Sequence, residues 1–509
     1  MLNRRTVLAT GAIAAVPLTT SLGALAQGRK DAVTLAMTLE PPGLDPTAGA
    51  ASAIAEIVQY NIFETLTKIN PDGSVSPLLA ESWEVSPDLK TYTFKLRRGV
   101  KFQNGEPFTA AAVKFSYDRA GGEKSTNKDK RTFAGITTQV VDDYTVVLLN
   151  KEIDPDLLFI LGQATSIIVE PKSADTNANK PVGTGPYQLQ AWNKGSSVVL
   201  TAWDGYRDAK AIKIKRATFR FISDPAAQVA ALLAGDVDAF PRVTPRSVPQ
   251  FKTNPKFQVV VSGSRAKTIL AINNGKKPLD DVRVRRAMNM AIDRKAIVQR
   301  IMDGMATPAY QYMPDGMFGA LPQAPEIKYD PEGAKKLLAE AGYPNGFEVG
   351  MNCPNDRYVN DGNICQAVAA NLARVGVKVN LQAETKGTYF PKILRRDTSF
   401  YMLGWTPGTY DSHNALNALM RCVDDSGSGQ FNLGAYCNPK VDELTLKIQS
   451  ETDQAKRNAM IKEAFDLHAA DVGHIPLHQQ ALAWGVNKNV KLVQLADNFM
   501  PFKWMSINK

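Results

Sequence analysis

The sequence predicts an α/β protein, because strand and helix signals interleave along its length. Residues Thr91 to Arg97 alternate polar and apolar side chains at period two, which is typical of a half-buried strand. Two Asp-Pro steps, at Asp224 and Asp330, each open an apolar run that ends at a glycine, the pattern of a capped helix. The chain has no internal repeat, low-complexity stretch or long Gly/Ser linker. We therefore expect two or three lobes joined by short hinges.

The first element along the chain is an export signal. Arg4 and Arg5 precede an apolar run that ends near Leu18, followed by a small-residue cleavage site that ends at Ala26. The run is shorter than the roughly 20 apolar residues that span a bilayer. The arginine pair and its neighbours also resemble a twin-arginine signal, which exports folded proteins. Residues 1–26 are thus predicted to be cleaved near Ala26, with a buried amphipathic start as the alternative.

Composition argues against a nucleic-acid partner. The hydrophobic fraction of 44% and charged fraction of 22% are ordinary for a soluble globular protein. The formal charge of +10 falls to +8 without Arg4 and Arg5, and the basic residues are scattered. Nucleic-acid binding would need clustered basic residues with stacking aromatics, so no nucleic-acid partner is expected. The mild basic excess favours anionic ligands weakly.

The strand at Thr91 to Arg97 is followed by a turn signal at Asn104-Gly105. The helix opened by Asp224-Pro225 is expected to end at Gly235, and the one opened by Asp330-Pro331 to end at Gly342. A further helix is predicted behind Asp280 and Asp281. Its buried face has i, i+3, i+4 spacing and consists of Val284, Ala287, Met288, Ala291 and Ile292.

The four cysteines favour disulfides over metal or redox chemistry, because no pair has C-x-x-C spacing and an exported chain meets an oxidising compartment. Three pairings are possible. The two local pairs, Cys353 with Cys365 and Cys422 with Cys437, are favoured because each closes a loop of moderate length. Reduced, buried thiols in at least one pair are the alternative.

Motifs for catalysis are missing. The sequence contains no G-x-S-x-G, no phosphate-binding G-x-x-x-x-G-K-[ST], no G-x-G-x-x-G and no H-E-x-x-H. Gly183-Thr184-Gly185 is followed by a proline and is expected to form a turn. His474 and His478 have metal-compatible spacing, but Pro476 between them would break a helix, so packing or surface roles are favoured. His468 is expected at the edge of the core. No cofactor, metal or catalytic residue is predicted, which favours binding over turnover.

One long segment resembles the signature of the extracytoplasmic solute-binding proteins of family 5, the oligopeptide, dipeptide and nickel type that serves ABC importers. It runs from Leu79-Ala80-Glu81-Ser82-Trp83 through Thr91-Tyr92-Thr93-Phe94 to Gly105-Glu106-Pro107-Phe108. Further matching motifs cover nearly the whole chain in the family's order: Gly183-Thr184-Gly185-Pro186-Tyr187, Pro278-Leu279-Asp280-Asp281, Ala291-Ile292-Asp293-Arg294, Val375-Gly376-Val377 and Gly404-Trp405.

The resemblance implies a two-lobe periplasmic-binding-protein-like fold with an extra inserted subdomain, of type II and cluster C-like. The division expected after the signal is lobe I in residues 27–70, 185–275 and 485–509, the inserted subdomain in 71–184, and lobe II in 276–484. The ligand would lie between lobes that close by a hinge. The resemblance also places a disulfide like Cys422–Cys437 near the site, and Cys353–Cys365 would stiffen a ligand loop.

The resemblance suggests one group of ligand-binding residues after Trp405. In peptide-binding relatives, a Trp is followed three residues later by an Asp that pairs with the peptide ammonium. Gly408 stands at that position here, and Asp411 is the nearby acid that could replace it. Trp405 and Tyr410 would form flat apolar walls, with ordinary packing at a strand end as the alternative. The predicted residues of this segment are Trp405, Thr406, Tyr410, Asp411 and His413.

A second group surrounds Arg357, which lies within one or two positions of an arginine that binds the ligand carboxylate in dipeptide-binding relatives. A guanidinium can bind a carboxylate through two parallel hydrogen bonds. Asn355 and Tyr358 complete this predicted group. A structural salt bridge from Arg357 to Asp356 or Asp361 is the alternative.

The resemblance therefore implies a periplasmic, monomeric binding protein that captures a small ligand and delivers it to a membrane permease. The ligand class stays open between a short peptide, an amino-acid-like or opine-type compound and another small organic acid. A secreted sensor or chaperone on the same scaffold is a second hypothesis. A secreted hydrolase is a third, disfavoured by the missing nucleophile motifs.

Overall fold

The computed structural model describes residues 31–508 except residues 50, 72, 242, 263–266, 314–324, 406–410, 425–428, 494 and 496–498. The predicted signal in residues 1–26 lies outside the described residues. Within them, the chain forms the mixed α/β architecture that the sequence predicts, with three larger sheets. None of the helices in the described part of the chain is long and apolar enough to cross a bilayer.

A seven-stranded sheet forms the first lobe. Its strands, in spatial order, are Phe257–Ser262, Leu482–Asn487, Ala239–Pro241, Ala32–Met37, Arg216–Phe221, Ser197–Ala202 and Tyr187–Asn193. The central strand Ala32–Met37 is parallel to Arg216–Phe221, with Leu35 opposite Phe219. Leu35, Phe219 and Phe502 are buried in one core, so the end of the described chain returns to this lobe.

A six-stranded sheet forms the second lobe. Its order is Ala306–Pro308, His474–Gln480, Lys267–Ile272, Phe400–Trp405, Phe347–Pro354 and Val377–Glu384. Because successive side chains of a strand point to opposite faces, Leu270 and Ile272 lie in one buried cluster and Ile269 and Ala271 in another. Both faces are therefore covered.

A four-stranded antiparallel sheet lies between residues 80 and 150, inside the predicted insertion. Its order is Ala80–Val85, Thr91–Leu96, Thr145–Asn150 and Ile136–Asp142. The predicted strand at residue 91 is confirmed, with Phe94 and Leu96 buried. Gly105 has φ of 91° at the predicted turn. Two short pairs join Thr67–Ile69 to Val75–Pro77 and Val490–Lys491 to Ser506–Ile507.

The helices surround these sheets. The α-helices are Ser52–Val58, Ala110–Gly121, Lys130–Ala134, Leu157–Ile160, Pro225–Ala234, Val248–Lys252, Val282–Met290, Arg294–Arg300, Pro331–Glu340, Asp361–Ala373, Lys386–Leu394, His413–Ala415, Pro439–Ser450 and Gln454–Asp471. One π-helical turn is Leu416–Met420, and the 3₁₀ turns are Ala164–Ser166, Ala174–Thr176, Ala209–Ala211, Pro245–Ser247 and Phe502–Trp504.

The predicted helix caps are confirmed. The Asp224 carboxylate accepts the Ala227 N–H at 2.7 Å, and Gly235 has φ of 77° at the other end. The helix predicted to run through Ile292 ends earlier, at Met290. Ile292 is still buried, but Asp293 caps a separate helix that begins at Arg294. The predicted buried face therefore extends beyond the first helix into the turn that precedes the second helix.

The chain crosses between the two large sheets twice. The first crossing joins Ser262 to Lys267, and the second joins Gln480 to Leu482. The strand Lys267–Ile272 thus belongs to the six-stranded sheet, and Leu482–Asn487 belongs to the seven-stranded sheet. The predicted lobe boundaries, at 275/276 and 484/485, stay predictions.

Candidate functional site

The carboxyl ends of the parallel strands of the first lobe lie on the side where the chain crosses between the lobes. Phe257–Ser262 and Ala239–Pro241 both run antiparallel to Leu482–Asn487, so they share a direction. Ala32–Met37 is parallel to Ala239–Pro241. The strand Phe257–Ser262 ends at the first crossing, which places all these carboxyl ends at that edge.

The second lobe has the same arrangement. Lys267–Ile272 begins at the crossing and runs antiparallel to Phe400–Trp405. Phe400–Trp405 is parallel to Phe347–Pro354, which is parallel to Val377–Glu384. Ligands of open α/β sheets bind outside the carboxyl ends of the strands. The loop at 355–360 and the strand end at Trp405 are therefore at the expected edge.

Arg357 lies in the first of these loops with its side chain exposed. Its guanidinium carbon lies 5.0 Å from the centre of the Tyr358 ring, and no carboxylate within the described residues pairs with it. The two acids of the alternative interpretation are engaged elsewhere. Asp356 lies 3.9 Å from the Lys386 ammonium, and the Asp361 carboxylate accepts the backbone N–H groups of Arg357 and Tyr358 at 2.9 Å each.

Tyr358 connects this loop to the neighbouring strand end. Its hydroxyl accepts the Gly404 N–H at 2.8 Å, and burial raises the pKa of the phenol. A Cβ atom at residue 404 would lie 2.4 Å from the Tyr358 ring, which is why this position requires glycine. Tyr358 therefore supports Arg357 on one side and the backbone before Trp405 on the other.

The disulfide predicted for this loop is present. Cys353 and Cys365 are both fully buried and bonded, joining the strand end to the helix Asp361–Ala373. The Asn355 N–H donates to the Glu384 carbonyl at 3.0 Å, while the residue itself is exposed. Cys422 and Cys437 form the second predicted bond.

Trp405 ends its strand partly buried, with its ring centre 5.3 Å from that of Phe431. The indole Nε1 is buried and has no acceptor among the described residues. Thr406 and Tyr410, which complete this part of the prediction, lie outside the described residues. Trp405 thus combines packing with one unsatisfied donor at the ligand edge.

Asp411 forms an ion pair with Arg457. The two guanidinium nitrogens lie 2.5 and 3.0 Å from its two carboxylate oxygens, and both side chains are largely buried. Asp411 Oδ1 also accepts the His413 N–H at 2.8 Å. Because both oxygens already bind a buried guanidinium, the structure gives no support to Asp411 as a replacement for the ammonium-pairing acid.

The histidines are internal. Burial lowers the pKa of His413 to about 4. His474 and His478 lie in a strand rather than a helix, and both are buried. His468 was expected at the edge of the core but is buried within it. Its Nε2 lies 2.8 Å from His474 Nδ1.

Three residues that hold the Arg357 loop were not predicted. Asp361 caps the loop, as described above. The Asn360 amide donates to the Ile301 carbonyl at 2.7 Å, with Asn360 at φ of 55°. The Gln480 side chain accepts the Val359 N–H at 3.4 Å. The adjacent Asn-Asp pair is a turn and cap signal in the sequence, whereas the contact to Gln480 has no local signal.

A polar cavity of about 310 Å³ lies elsewhere on the second lobe. Its lining includes Lys276, Asn352, Gln382, Asp397 and Ser399, and none of the predicted ligand residues.

Comparisons with known proteins agree with this architecture. The family model of the bacterial extracellular solute-binding proteins, family 5, matches residues 74–427. The glutathione-binding protein GsiB of Salmonella choleraesuis strain SC-B67 is 31% identical over 490 residues, covering 94% of each chain. HbpA2 from Haemophilus parasuis superposes with a TM-score of 0.85 at 25% identity, covering 94% of this chain and 100% of that chain.

A second solved structure is NikA from Brucella suis in complex with Fe(III)-EDTA. It superposes with a TM-score of 0.84 at 25% identity, over 94% of this chain and 99% of that chain. The family match, the full-length relative and the two-lobe fold agree with each other. The chain therefore belongs to the bacterial extracellular solute-binding proteins of family 5.

Proposed function

We propose that this protein captures a small peptide-like acid in the periplasm and delivers it to the permease of an ABC importer. The observation that carries the ligand class is the exposed guanidinium of Arg357, which stacks on Tyr358 and has no carboxylate partner among the described residues. It lies at the carboxyl edge of the sheet, where a ligand carboxylate can form two parallel hydrogen bonds with it.

Two further observations support an acid rather than an ordinary peptide. Gly408 replaces the expected ammonium-pairing acid, and Asp411 is bound to Arg457. A buried ammonium without a partner costs several kcal/mol, so unmodified peptides are expected to bind weakly. One relative is named for binding glutathione, and the two carboxylates of glutathione are consistent with the proposed acid class.

Export and delivery complete the proposal. Arg4, Arg5 and the small-residue site at Ala26 support cleavage of an export signal and release into the periplasm. A monomer that closes around its ligand would then dock on the permease.

A thermal-shift screen tests the ligand class. The panel contains S-methylglutathione, its glycine amide, di- to pentapeptides and their N-acetyl forms. The S-methyl group prevents exchange between the probe and the protein's disulfides. Ligands that bind the folded state raise the midpoint in proportion to the logarithm of concentration over Kd. We expect acids to raise it more than their amides.

Tight binding of unmodified peptides, abolished by N-acetylation, would contradict the proposed class. Native mass spectrometry of the purified protein would then identify the ligand that copurifies.

A further inference from the structure

A hydrogen bond joins the predicted inserted subdomain to the second lobe. Neither of its residues lies near, in the sequence, the two segments where the chain crosses between the large sheets. Gln449 Nε2 donates to the Ile153 carbonyl at 2.8 Å. Ile153 follows the strand Thr145–Asn150 of the four-stranded sheet, and Gln449 lies in the last turn of the helix Pro439–Ser450. The two residues are 296 positions apart in the chain.

Apolar packing supports the same junction. Ile69 and Phe159, which are 2% and 9% exposed, belong to the buried cluster formed by the second lobe. In that cluster they join Leu444 and Ile448 of the helix that carries Gln449. The junction therefore combines a direct hydrogen bond with buried apolar surface.

The same helix end is bonded to the ligand edge. The Ile448 carbonyl accepts the Arg457 Nε–H at 3.1 Å. The Arg457 guanidinium holds Asp411, the first described residue after the segment that follows Trp405. Two consecutive residue contacts thus connect Ile448, the residue beside Gln449, with Asp411 at the ligand edge.

We propose that Gln449, Ile153, Ile69 and Phe159 form a closure latch, and that Gln449 is a positioning residue for solute retention. A contact made only when the lobes are closed raises the closed fraction, and apparent affinity rises with that fraction. The Asp411–Arg457 pair couples the latch to Asp411 at the ligand edge. The inference rests on the solute-binding function of the two lobes and not on the ligand class.

The test compares Gln449→Ala and Gln449→Glu with the parent in the absence of ligand. The glutamate keeps the side-chain length but presents carboxylate oxygens to the Ile153 carbonyl in place of a donor. Small-angle X-ray scattering measures the radius of gyration, which rises as the lobes open. Removing one hydrogen bond should raise the open-to-closed ratio about two- to tenfold, and the glutamate should open the protein further.

Gln454→Ala is the matched control. Its amide donates to Asn458 within one exposed helix turn at 2.8 Å, so it removes a similar bond that does not cross between lobes. We expect its radius of gyration to equal that of the parent. An unchanged radius in both Gln449 variants overturns the latch.

Ligand dissociation rates test whether Gln449 affects only how long the ligand stays bound or also which ligand is preferred. With S-methylglutathione as the probe, Gln449→Ala should speed dissociation by the same factor for each acid that binds, leaving the order of preference unchanged. A change in that order would show that Gln449 contacts ligand and would overturn the positioning role. If the parent does not bind the probe, the proposed ligand class is wrong while the scattering result still decides the latch.

Discussion

At the scale of single residues, two arginines at the ligand edge have different surroundings. Arg357 is exposed and stacks on an aromatic ring, whereas Arg457 is 6% exposed and bound to Asp411. A desolvated guanidinium depends on its partner for stability. An exposed guanidinium such as that of Arg357, which has no acid partner among the described residues, can bind a ligand carboxylate. Burial therefore distinguishes a structural arginine from a candidate binding residue.

Arg357→Ala should weaken S-methylglutathione binding at least tenfold, because a ligand carboxylate would lose its charge-assisted hydrogen bonds. Titration calorimetry measures the affinity, and differential scanning calorimetry should show nearly the same midpoint for the ligand-free proteins. Arg374→Ala is the control, since Arg374 is also exposed and contacts the Tyr329 hydroxyl instead. Equal affinity in Arg357→Ala and the parent would remove Arg357 from the site.

Asp411→Asn should destabilise the folded protein by about 3–5 kcal/mol, because it leaves the Arg457 guanidinium buried without a charge partner. Urea denaturation measures this change. Asp466→Asn is the control, because Asp466 pairs with Lys462 on an exposed helix surface, where such pairs contribute little. Normal stability with a selective loss of peptide binding would instead restore the ammonium-pairing role of Asp411.

At the scale of elements, the end of the strand Phe400–Trp405 is held by the Arg357 loop. Gly404 lies against the Tyr358 ring, and its N–H binds the Tyr358 hydroxyl. The loop and the strand end are thus one packed unit, so displacing either one should displace the ligand contacts of both.

Gly404→Ala should lower both stability and affinity, since the added methyl group would overlap the ring, and overpacking costs about 1–3 kcal/mol. Gly350→Ala is the matched control in the neighbouring strand, where a Cβ atom would meet nothing within 4 Å. Urea denaturation and calorimetry of both variants give the comparison. Similar behaviour of the two variants would contradict the packed unit.

At the scale of the whole molecule, all four histidines lie buried in the second lobe. Burial lowers the pKa of His413 and His478 to about 4 and that of His468 to about 3, and also lowers that of His474. These residues remain neutral in the folded protein but become protonated in the unfolded chain below about pH 6.5.

The free energy of unfolding should therefore fall as the pH drops from about 6.5 to 4, because the unfolded chain then binds more protons. Asp154 opposes this trend, since burial raises its pKa to about 6 and its protonation favours the folded state. Urea denaturation at pH 8, 6.5, 5 and 4 measures the balance. His478→Gln should reduce the slope in this range, and an unchanged slope would contradict the contribution of His478.

Local chemistry made much of this protein predictable from the sequence. Period-two alternation predicted the strand at Thr91, Asp-Pro steps predicted two helix starts, and short separations favoured the two disulfides. Each of these signals acts over a few residues, through backbone geometry, capping or loop closure. The family motifs then indicated the two-lobe fold, because they extend over nearly the whole chain.

Contacts between distant segments depended on the tertiary structure. Asp411 and Arg457 are 46 residues apart, and nothing near Asp411 indicates that its oxygens are occupied. No local pattern indicates that the chain changes sheets between Ser262 and Lys267, because pairing with distant strands decides which sheet a strand joins. The Asp411–Arg457 pair forms only when the second lobe folds. The junction between Gln449 and Ile153 forms only when the inserted subdomain packs against that lobe, because the two residues are 296 positions apart.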